Sequence, residues 1–403
     1  MAFTQIPYGK QHITDDDISA VVEVLKSDFL TQGPKVAEFE TAFAEYIGVK
    51  YAVAVANGTA ALHLCTLALN VKTGDNVITT PITFAASANC VKYCGGNVYF
   101  TDIDKDSFLI DLNKVEELIN SKPKGFFQGI IPVDFAGNAV NLEELKKIAN
   151  KHNLWIIEDA CHAPGGYFTD SKGKNQNCGN GNFADLAIFS FHPVKHIATG
   201  EGGMITTNNK ALYEKLLLLR THGITKNPDL LTENHGGWYY EMQELGYNYR
   251  LTDIQAALGI SQLKRASKNL KRRKEIARKY DAVFSNFTLR EPQCTENSKF
   301  QISNPKSQIL NPKSLEGHAF HLYVIQVEKK LELYNYLRTK GIFTQVHYIP
   351  VHLQPYYKQL GWKKGDFPVA ENYYEHCLSL PMYHSLSNEE QDYVIETILA
   401  FYK

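Results

Sequence analysis

The sequence predicts an α/β protein, with a large domain built on a mainly parallel central sheet and a smaller C-terminal α/β domain. Its 403 residues are 44% hydrophobic and 21% charged, which suits a globular protein of two domains. From about residue 14 to 250, apolar strand-like segments alternate with amphipathic helix-like segments, as is typical of a parallel sheet covered by helices. Beyond this region the pattern changes, so we expect a large domain at 1–253 and a small domain at 254–403.

The predicted strands of the large domain follow one another at regular intervals. The first, YAVAVAN, leads into the helix-like segment GTAALHLCTLALN, and the later strands alternate with similar segments. Active sites in such sheets lie at the carboxyl ends of the strands. In chain order the predicted strands are YAVAVAN (51–57), NVITTPITF (76–84), NVYFTDID (97–104), GFFQGIIPVDFAG (125–137), LWIIEDACHA (154–163) and DLAIFSF (185–191).

The C-terminal part has a different character. Residues 252–285 predict one long helix or two, and HAFHLYVIQV (318–327) predicts a strand that precedes a helix. Between them, residues 296–315 are polar and contain Asn-Pro-Lys-Ser twice. This composition predicts an exposed insertion, to which we assign no catalytic role.

Composition and charge exclude several classes of protein. Lys and Arg number 42 against 43 Asp and Glu, so no basic field would attract nucleic acid. No apolar run approaches the roughly 20 residues that cross a membrane, and the first residues lack a signal pattern. Seven cysteines without a CxxC pair indicate reduced thiols in a cytoplasmic protein. Cys90 and Cys94 are expected in the core, and we predict no metal site.

Lys195 lies between a strand-like segment and a glycine pair, in DLAIFSFHPVKHIATGEGGMITT. One interpretation is an ordinary solvated loop lysine. The other is a lysine held on a rigid frame, where desolvation lowers its pKa for nucleophilic work. The choice depends on whether the other strand ends supply groups that act with this lysine.

Two of these groups suit a phosphate. YAVAVAN delivers Gly58, Thr59 and Ala60 to the first turn of a helix, where unpaired N–H groups and the helix dipole favour an anion. The alternative is an ordinary N-cap by Asn57 or Thr59. Ser190, five residues before the lysine, is close enough in a tight turn for its hydroxyl to reach the same phosphate.

Two further groups suit an aromatic, cationic ring. LWIIEDACHA ends in Glu158 and Asp159, and a carboxylate there would hold a ring nitrogen protonated; the alternative is a helix cap. Phe84 would lie flat on the ring, or else simply pack in the core. Pyridoxal 5'-phosphate (PLP) requires four kinds of group together. They are a phosphate-binding turn, an acid that pairs with the pyridinium nitrogen, an aromatic side chain over the ring and a lysine.

Five ordered motifs resemble the DegT/StrS family of sugar aminotransferases, which are PLP enzymes of fold type I: GTAAL, EDACHA, FSFHPVK, TGEGG and GYNYRLTDIQAALG. The resemblance covers nearly the whole chain apart from 296–315. It implies that Lys195 forms the imine with PLP and that Asp159 pairs with the pyridine nitrogen. It also implies a homodimer, in which Asn248 reaches the phosphate bound by the neighbouring subunit. The remaining cofactor contacts that it implies are Thr59, Ala60 and Ser190 at the phosphate and Phe84 over the ring.

A histidine gives the resemblance a finer direction. Many family members have glutamine three residues after the aspartate, where this chain has His162, which we place among the cofactor contacts. The histidine form resembles a branch that takes nitrogen from L-glutamate, leaving 2-oxoglutarate. It delivers that nitrogen to the 4-keto carbon of UDP-2-acetamido-2,6-dideoxy-β-L-arabino-hex-4-ulose, on the way to pseudaminic acid. The residues expected to contact this sugar nucleotide are Tyr8, Thr31 and Gln32.

Other functions remain open at this point. One alternative is another nucleotide-linked keto sugar, either a D-xylo 4-keto sugar or a dTDP-linked 3-keto or 4-keto sugar. A second is a PLP-binding regulator without turnover, although no helix-turn-helix or basic arm flanks the motifs. The related dehydratases are excluded, because they resemble this pattern but carry histidine in place of the lysine.

Overall fold

The structure is a computed structural model, and it describes residues 5–284, 288–289, 300–301 and 317–402. The helices in these residues are α1 (Asp15–Leu25), α2 (Pro34–Ile47), α3 (Gly58–Ala68), α4 (Ala86–Tyr93), α5 (Leu112–Asn120), α6 (Leu142–His152), α7 (Lys210–Leu219), α8 (Asp253–Leu263), α9 (Ala266–Phe284), α10 (Lys330–Thr339), α11 (Pro355–Gln359), α12 (Pro368–His376) and α13 (Asn388–Phe401). The strands are β1 (Ile6–Pro7), β2 (Tyr51–Val55), β3 (Asn76–Thr79), β4 (Asn97–Phe100), β5 (Gly129–Ile131), β6 (Trp155–Asp159), β7 (Tyr167–Thr169), β8 (Asn175–Asn177), β9 (Leu186–Ser190), β10 (Gly203–Thr207), β11 (Ile224–Thr225), β12 (Glu241–Met242), β13 (Thr288–Leu289), β14 (Phe300–Gln301), β15 (Tyr323–Gln326), β16 (Ile342–Phe343) and β17 (Cys377–Leu380).

Seven strands form the central sheet, in the order β2-β10-β9-β6-β5-β3-β4. The pairs from β9 through β6, β5 and β3 to β4 are all parallel. β10 is antiparallel to both of its neighbours, so the other six strands run in one direction. The predicted α/β fold with a mainly parallel sheet is confirmed.

The strands are almost fully buried because helices cover both faces of the sheet. In β6 every residue after Trp155 is buried, and β9 is buried up to Ser190. This explains the continuous apolar segments in the sequence, since a strand covered on both faces has no solvent side. In the register of these two strands Asp159 lies beside Ile188, which brings their carboxyl ends to one edge.

Polar side chains define where two functionally important helices begin. The side chain of Asn57 accepts a hydrogen bond from the N–H of Ala60 (2.8 Å) and thereby caps α3. Thr252 and Gln255 form a capping box at the start of α8. Residues 252–284 therefore form two helices, α8 and α9, which resolves the choice that the sequence left open.

In the part of the chain that the structure describes, buried apolar side chains form three clusters. Two lie on the two sides of the central sheet, and the third joins α9 to β15, β17 and the C-terminal helices and includes Ile6 from the N-terminal segment. α8 packs against α1 and α2. The division into domains at 253/254 stays a prediction.

Most of the predicted insertion at 296–315 lies outside the described residues; residues 300–301 form β14. Among the described helices, none combines the length and the apolar character that crossing a bilayer requires.

Candidate active site

A cavity of about 710 Å³ opens where the central strands end. It collects side chains from the ends of five strands, β2, β3, β5, β6 and β9, and from two C-terminal segments that are distant in sequence. Of the predicted site residues, it is lined by Tyr8, Thr59, Phe84, Asp159, His162, Ser190 and Lys195.

Lys195 lies on a tightly tied loop between β9 and β10. Its own N–H donates to the carbonyl of His192 (2.8 Å), and the N–H of Thr199 donates to the carbonyl of Phe191 (2.9 Å). Gly203 then permits close approach of β10 to the start of α3, because a Cβ at this position would lie 2.5 Å from the carbonyl oxygen of Asn57. Backbone hydrogen bonds therefore hold the loop in one conformation, in which the side chain of Lys195 lines the cavity.

Burial lowers the pKa of the Lys195 amine, and the nearby Cys161 and Asp159 partly oppose this effect. No hydrogen bond or ion pair with another described residue engages Nζ. A lysine that is desolvated and unpaired deprotonates more easily than a surface lysine, and the neutral amine is the nucleophilic form. The structure thus favours the rigid-frame interpretation of Lys195 over the solvated one.

Asp159 is held in a defined orientation at the end of β6. Its side chain is 5% exposed. One oxygen accepts a hydrogen bond from the Ser87 hydroxyl (2.6 Å) and the other from the N–H of Cys161 (3.2 Å). The Ser87 hydroxyl in turn contacts the Thr83 hydroxyl (2.7 Å). Sequence analysis missed Ser87, because nothing in the sequence marks it among the other hydroxyl residues of α4 and the preceding loop.

The first turn of α3 has both an N-cap and features of an anion site, the two interpretations that the sequence allowed. Asn57 is the N-cap, and it already occupies the N–H of Ala60, which does not line the cavity. Gly58 and Thr59 do line it, beside Ser190. A Cβ on Gly58 would lie 3.1 Å from Cβ of Ser190, so glycine leaves the backbone accessible here. This turn presents backbone amides and a hydroxyl at one point, as an anion requires.

His162 is buried and hydrogen-bonded through both ring nitrogens. Nδ1 accepts from the N–H of Ala136 (3.2 Å), and Nε2 contacts the hydroxyl of Tyr348 (3.1 Å). Burial and the charge of Lys195 hold the pKa of His162 well below its ordinary value. The ring of His321 lies against it, with the centroids 4.3 Å apart. His162 is therefore a neutral, oriented imidazole.

The mouth of the cavity is aromatic. Phe84 is 62% exposed, and its ring centroid lies 6.3 Å from that of Tyr348. Tyr8 packs on His347 with the ring centroids 5.2 Å apart, and burial raises the pKa of the Tyr8 hydroxyl. A planar ligand entering between Phe84 and the floor of the cavity would be enclosed by these rings.

Besides Ala60, three predicted site residues do not line the cavity of their own chain. Thr31 forms an isolated β-bridge with Thr252, and Asn248 forms one with Thr221. Gln32 lines a different and smaller pocket. A single chain does not bring these three residues to Lys195.

The structure places two histidines, whose roles the sequence left open, in different environments. His347 lines the cavity, and its Nδ1 is hydrogen-bonded to the hydroxyl of Ser379 (2.9 Å). His352 instead pairs with Glu371 (2.9 Å) in the interior. Sequence reasoning did not separate them because both belong to one short segment, and only the fold decides which of the two faces the cavity.

Behind Asp159 lies a buried group of Asp134, Glu158 and Cys178, with ligand-type atoms within 4.8 Å of one another. Burial raises the pKa of Asp134 to about 6, and burial and the neighbouring Asp134 raise that of Glu158. The pKa of the Cys178 thiol is also raised by burial. Each shift favours the protonated form of its group, so Asp134 and Glu158 hold a proton between them more readily than two exposed carboxylates would.

Comparisons with known proteins agree with this geometry. Residues 11–399 match the model of the DegT/DnrJ/EryC1/StrS aminotransferase family. The chain is 40% identical over 404 residues to the UDP-4-amino-4,6-dideoxy-N-acetyl-beta-L-altrosamine transaminase of Campylobacter jejuni strain 81-176, covering 98% of this chain and 97% of that one.

Two solved structures share the fold. One is Helicobacter pylori PseC, an aminotransferase involved in the biosynthesis of pseudoaminic acid, with a TM-score of 0.83, 32% identity and 99% of each chain covered. The other is the PLP form of a putative sugar aminotransferase from Streptococcus pneumoniae, with a TM-score of 0.83 and 30% identity, covering 98% of this chain and 97% of that one. The predicted fold type I and the predicted PLP dependence are both confirmed.

Proposed function

The chain belongs to the DegT/DnrJ/EryC1/StrS aminotransferase family, and on that premise we propose its substrates. It is a PLP-dependent nucleotide-sugar aminotransferase. We propose that it takes the amino group of L-glutamate and delivers it to the 4-keto carbon of UDP-2-acetamido-2,6-dideoxy-β-L-arabino-hex-4-ulose, in pseudaminic acid biosynthesis. The observation that carries the reaction type is the unpaired amine of Lys195 in the same cavity as the oriented carboxylate of Asp159.

The cavity residues fit PLP. Gly58, Thr59 and Ser190 would hold its phosphate, because they present amides and a hydroxyl where no Cβ obstructs the approach. Asp159 would pair with its pyridine nitrogen, and Phe84 would cover its ring. Ala60 remains proposed as a phosphate contact, which would require its N–H to be shared with Asn57.

Each residue then has a definite task. Bound PLP supplies an electron sink that stabilises negative charge on the carbon beside the transferred nitrogen. Asp159 would keep a proton on the pyridine nitrogen. The amine of Lys195 would serve as the base that moves a proton between the substrate carbon and the cofactor carbon. Phe84 limits the access of water from the mouth of the cavity.

The sugar assignment rests on the relatives and on one residue. A transaminase named for the altrosamine product is 40% identical to this chain over nearly its full length, and His162 occupies the position that the sequence associated with that branch. Tyr8, which lines the cavity, is proposed to contact the sugar nucleotide. Sites that hydrogen-bond substrate hydroxyls discriminate strongly between analogues, so the epimer matters.

We further propose a cytoplasmic homodimer. Thr31, Gln32 and Asn248 lie outside the cavity of their own chain, so their proposed contacts to sugar nucleotide and phosphate require a second copy. Several large apolar side chains in the segment before Asn248 are exposed in one chain, including Trp238 at 75% and Leu245 at 77%. Such surface is typical of an interface.

The experiment supplies the enzyme with ¹⁵N-labelled L-glutamate and, separately, the L-arabino 4-keto sugar and its D-xylo epimer. We expect ¹⁵N at the fourth carbon of the L-arabino sugar, assigned by NMR. Preference for the D-xylo epimer, or nitrogen at the third carbon, would assign the chain to another branch. If glutamate left the visible spectrum of the PLP-loaded protein unchanged and no nitrogen moved, the chain would be a PLP-binding protein without turnover.

A further inference from the structure

Tyr348 is a cavity residue for which neither the motifs nor the proposed reaction supplies a role. It follows β16 on a segment that lines the cavity together with Lys195 and Asp159. Its hydroxyl contacts Nε2 of His162 at 3.1 Å. The direction of that hydrogen bond determines what the hydroxyl offers to the cavity.

The opposite side of the His162 ring fixes this direction. A backbone N–H can only donate, so the 3.2 Å contact from Ala136 makes Nδ1 of His162 an acceptor. A neutral imidazole then carries its proton on Nε2 and donates to Tyr348. Burial and the charge of Lys195 hold the pKa of His162 far below its ordinary value, which keeps the ring neutral.

The hydroxyl of Tyr348 therefore accepts from His162 and retains its own hydrogen for another partner. Among the described residues, His162 is the group that hydrogen-bonds this hydroxyl, and it takes up only the acceptor side. Burial raises the pKa of Tyr348, so the hydroxyl stays protonated at neutral pH. One directed O–H donor is left facing the cavity.

Both ends of this arrangement are held rigidly. Ala136 lies in a left-handed turn with φ 60°, and the carboxyl of Asp134 ties that turn by accepting from the N–H of Val140 (2.9 Å). At the other end, the hydroxyl of Tyr373 donates to the carbonyl of His347 (2.8 Å), immediately before Tyr348. Such fixed donors suit recognition, because little ordering is required when the ligand binds.

We propose that Tyr348 donates a hydrogen bond to an oxygen of the ligand that fills the cavity, and that His162 is the residue that positions it. The inference rests on the proposed function for the nature of that ligand. The acceptor is an oxygen of PLP or an oxygen of the keto sugar. Both sources offer the same chemistry, an oxygen lone pair, and the experiment separates them.

The central variant is Tyr348→Phe, which removes one oxygen and keeps the ring. The matched control is Tyr280→Phe, since Tyr280 is also buried but donates to the carbonyl of Pro381 away from the cavity (3.1 Å). PLP affinity and the visible spectrum are measured without substrate, and kcat and KM for the keto sugar are measured afterwards. We expect Tyr348→Phe to reduce either PLP affinity or kcat/KM for the keto sugar about tenfold relative to Tyr280→Phe.

A loss in PLP affinity or a shifted absorption band places the acceptor on PLP. A change confined to kcat or KM for the sugar places it on the substrate. If all four quantities match those of Tyr280→Phe, the proposal is overturned. If the wild-type protein transfers no nitrogen while Tyr348→Phe still loses PLP affinity, the proposed function fails and this inference stands.

The positioning role of His162 has its own test, which requires no activity. In the protein without PLP, ¹⁵N NMR of labelled histidine should show an unprotonated Nδ1 and a protonated Nε2 for His162, assigned by the loss of its signals in His162→Gln. A protonated Nδ1 would overturn it. His162→Gln offers an acceptor and a donor like the imidazole, so it should reduce PLP or sugar binding less than His162→Leu does.

Discussion

At the scale of single residues, the site depends on how charged groups are buried. Asp159 and Glu158 are neighbours in sequence but point to opposite faces of β6, as successive strand residues do. Asp159 faces the cavity and is oriented by Ser87 (2.6 Å). Glu158 faces the interior, where both of its oxygens accept from the N–H of Gly179 (3.0 and 2.9 Å). Two adjacent carboxyl groups thus have different environments because their side chains point to opposite faces of the strand.

The carboxylate of Asp159 is predicted to sustain the electron sink. Asp159→Asn removes the charge that, in our proposal, keeps the pyridine nitrogen protonated, so turnover should fall by at least two orders of magnitude, about 2.7 kcal/mol on the barrier. Stopped-flow measurement of the glutamate half-reaction checks this. Glu158→Gln, on the opposite face of β6, is the comparison. A wild-type rate in Asp159→Asn would leave Asp159 with only a structural role.

The buried pair of Asp134 and Glu158 predicts an unusual dependence of stability on pH. Burial raises the folded-state pKa of Asp134 from 3.8 to about 6. The folded protein therefore binds this proton more tightly than the unfolded chain. The stabilising effect is complete below about pH 4 and is lost as pH rises through about 6.

Asp134→Asn keeps the acceptor for Val140 and removes this titration. Between pH 4 and 7 the free energy of unfolding of the wild type should decrease. In Asp134→Asn this decrease should be smaller by up to about 3 kcal/mol. Urea unfolding at a series of pH values measures the difference, with the exposed Asp28→Asn as control. Parallel curves for wild type and Asp134→Asn would show that burial does not raise the pKa of Asp134 in the folded protein.

At the scale of elements, the site is formed because strand ends and a helix start meet. β10 approaches the first turn of α3 so closely that only glycine is accommodated at Gly203. Gly203→Ala should destabilise the fold by about 1–3 kcal/mol and also weaken PLP binding, because the displaced backbone of Asn57 and Gly58 carries the proposed phosphate contacts. Urea unfolding and PLP titration measure the two effects.

Gly237→Ala is the matched control, since a Cβ there meets nothing within 4 Å. It should change neither stability nor PLP binding. Equal behaviour of the two alanine variants would mean that the approach of β10 to α3 does not shape the phosphate contacts.

The structure brings together in one cavity the predicted residues that lie at or shortly after the ends of apolar segments. Lys195, Asp159 and Thr59 could be expected there because parallel strands end at one edge of the sheet. The partners of Asp159 and of His162 could not be predicted. Ser87 reaches Asp159 across 72 residues and Tyr348 reaches His162 across 186, and no local pattern encodes contacts at such separations.

At the scale of the whole molecule, one chain does not bring all the proposed contacts together. Asn248 lies outside the cavity in its own subunit, so a homodimer is required if it reaches a phosphate. Sedimentation should show a dimer at assay concentrations, and an active monomer would contradict the proposal.

A complementation experiment tests directly whether Asn248 of one subunit acts in the site of the other. Asn248→Ala and Lys195→Ala subunits are unfolded together and refolded as a mixture. If Asn248 acts across the interface, hybrid dimers contain one complete site, and the mixture should recover about a quarter of wild-type activity. Asn120→Ala, an exposed position on α5, should be fully active alone. A mixture as inactive as its two parents would place Asn248 in its own subunit.

We propose that the fold delivers the amine of Lys195 to PLP. The most direct measurement is borohydride reduction of the PLP-loaded protein, which makes the bond between amine and PLP permanent, followed by peptide mass spectrometry. We expect one pyridoxyl group per chain, on Lys195, and none on a Lys195→Ala protein that retains the wild-type circular dichroism spectrum. A pyridoxyl group on another lysine, or turnover that survives in Lys195→Ala, would show that Lys195 does not bind PLP in this way.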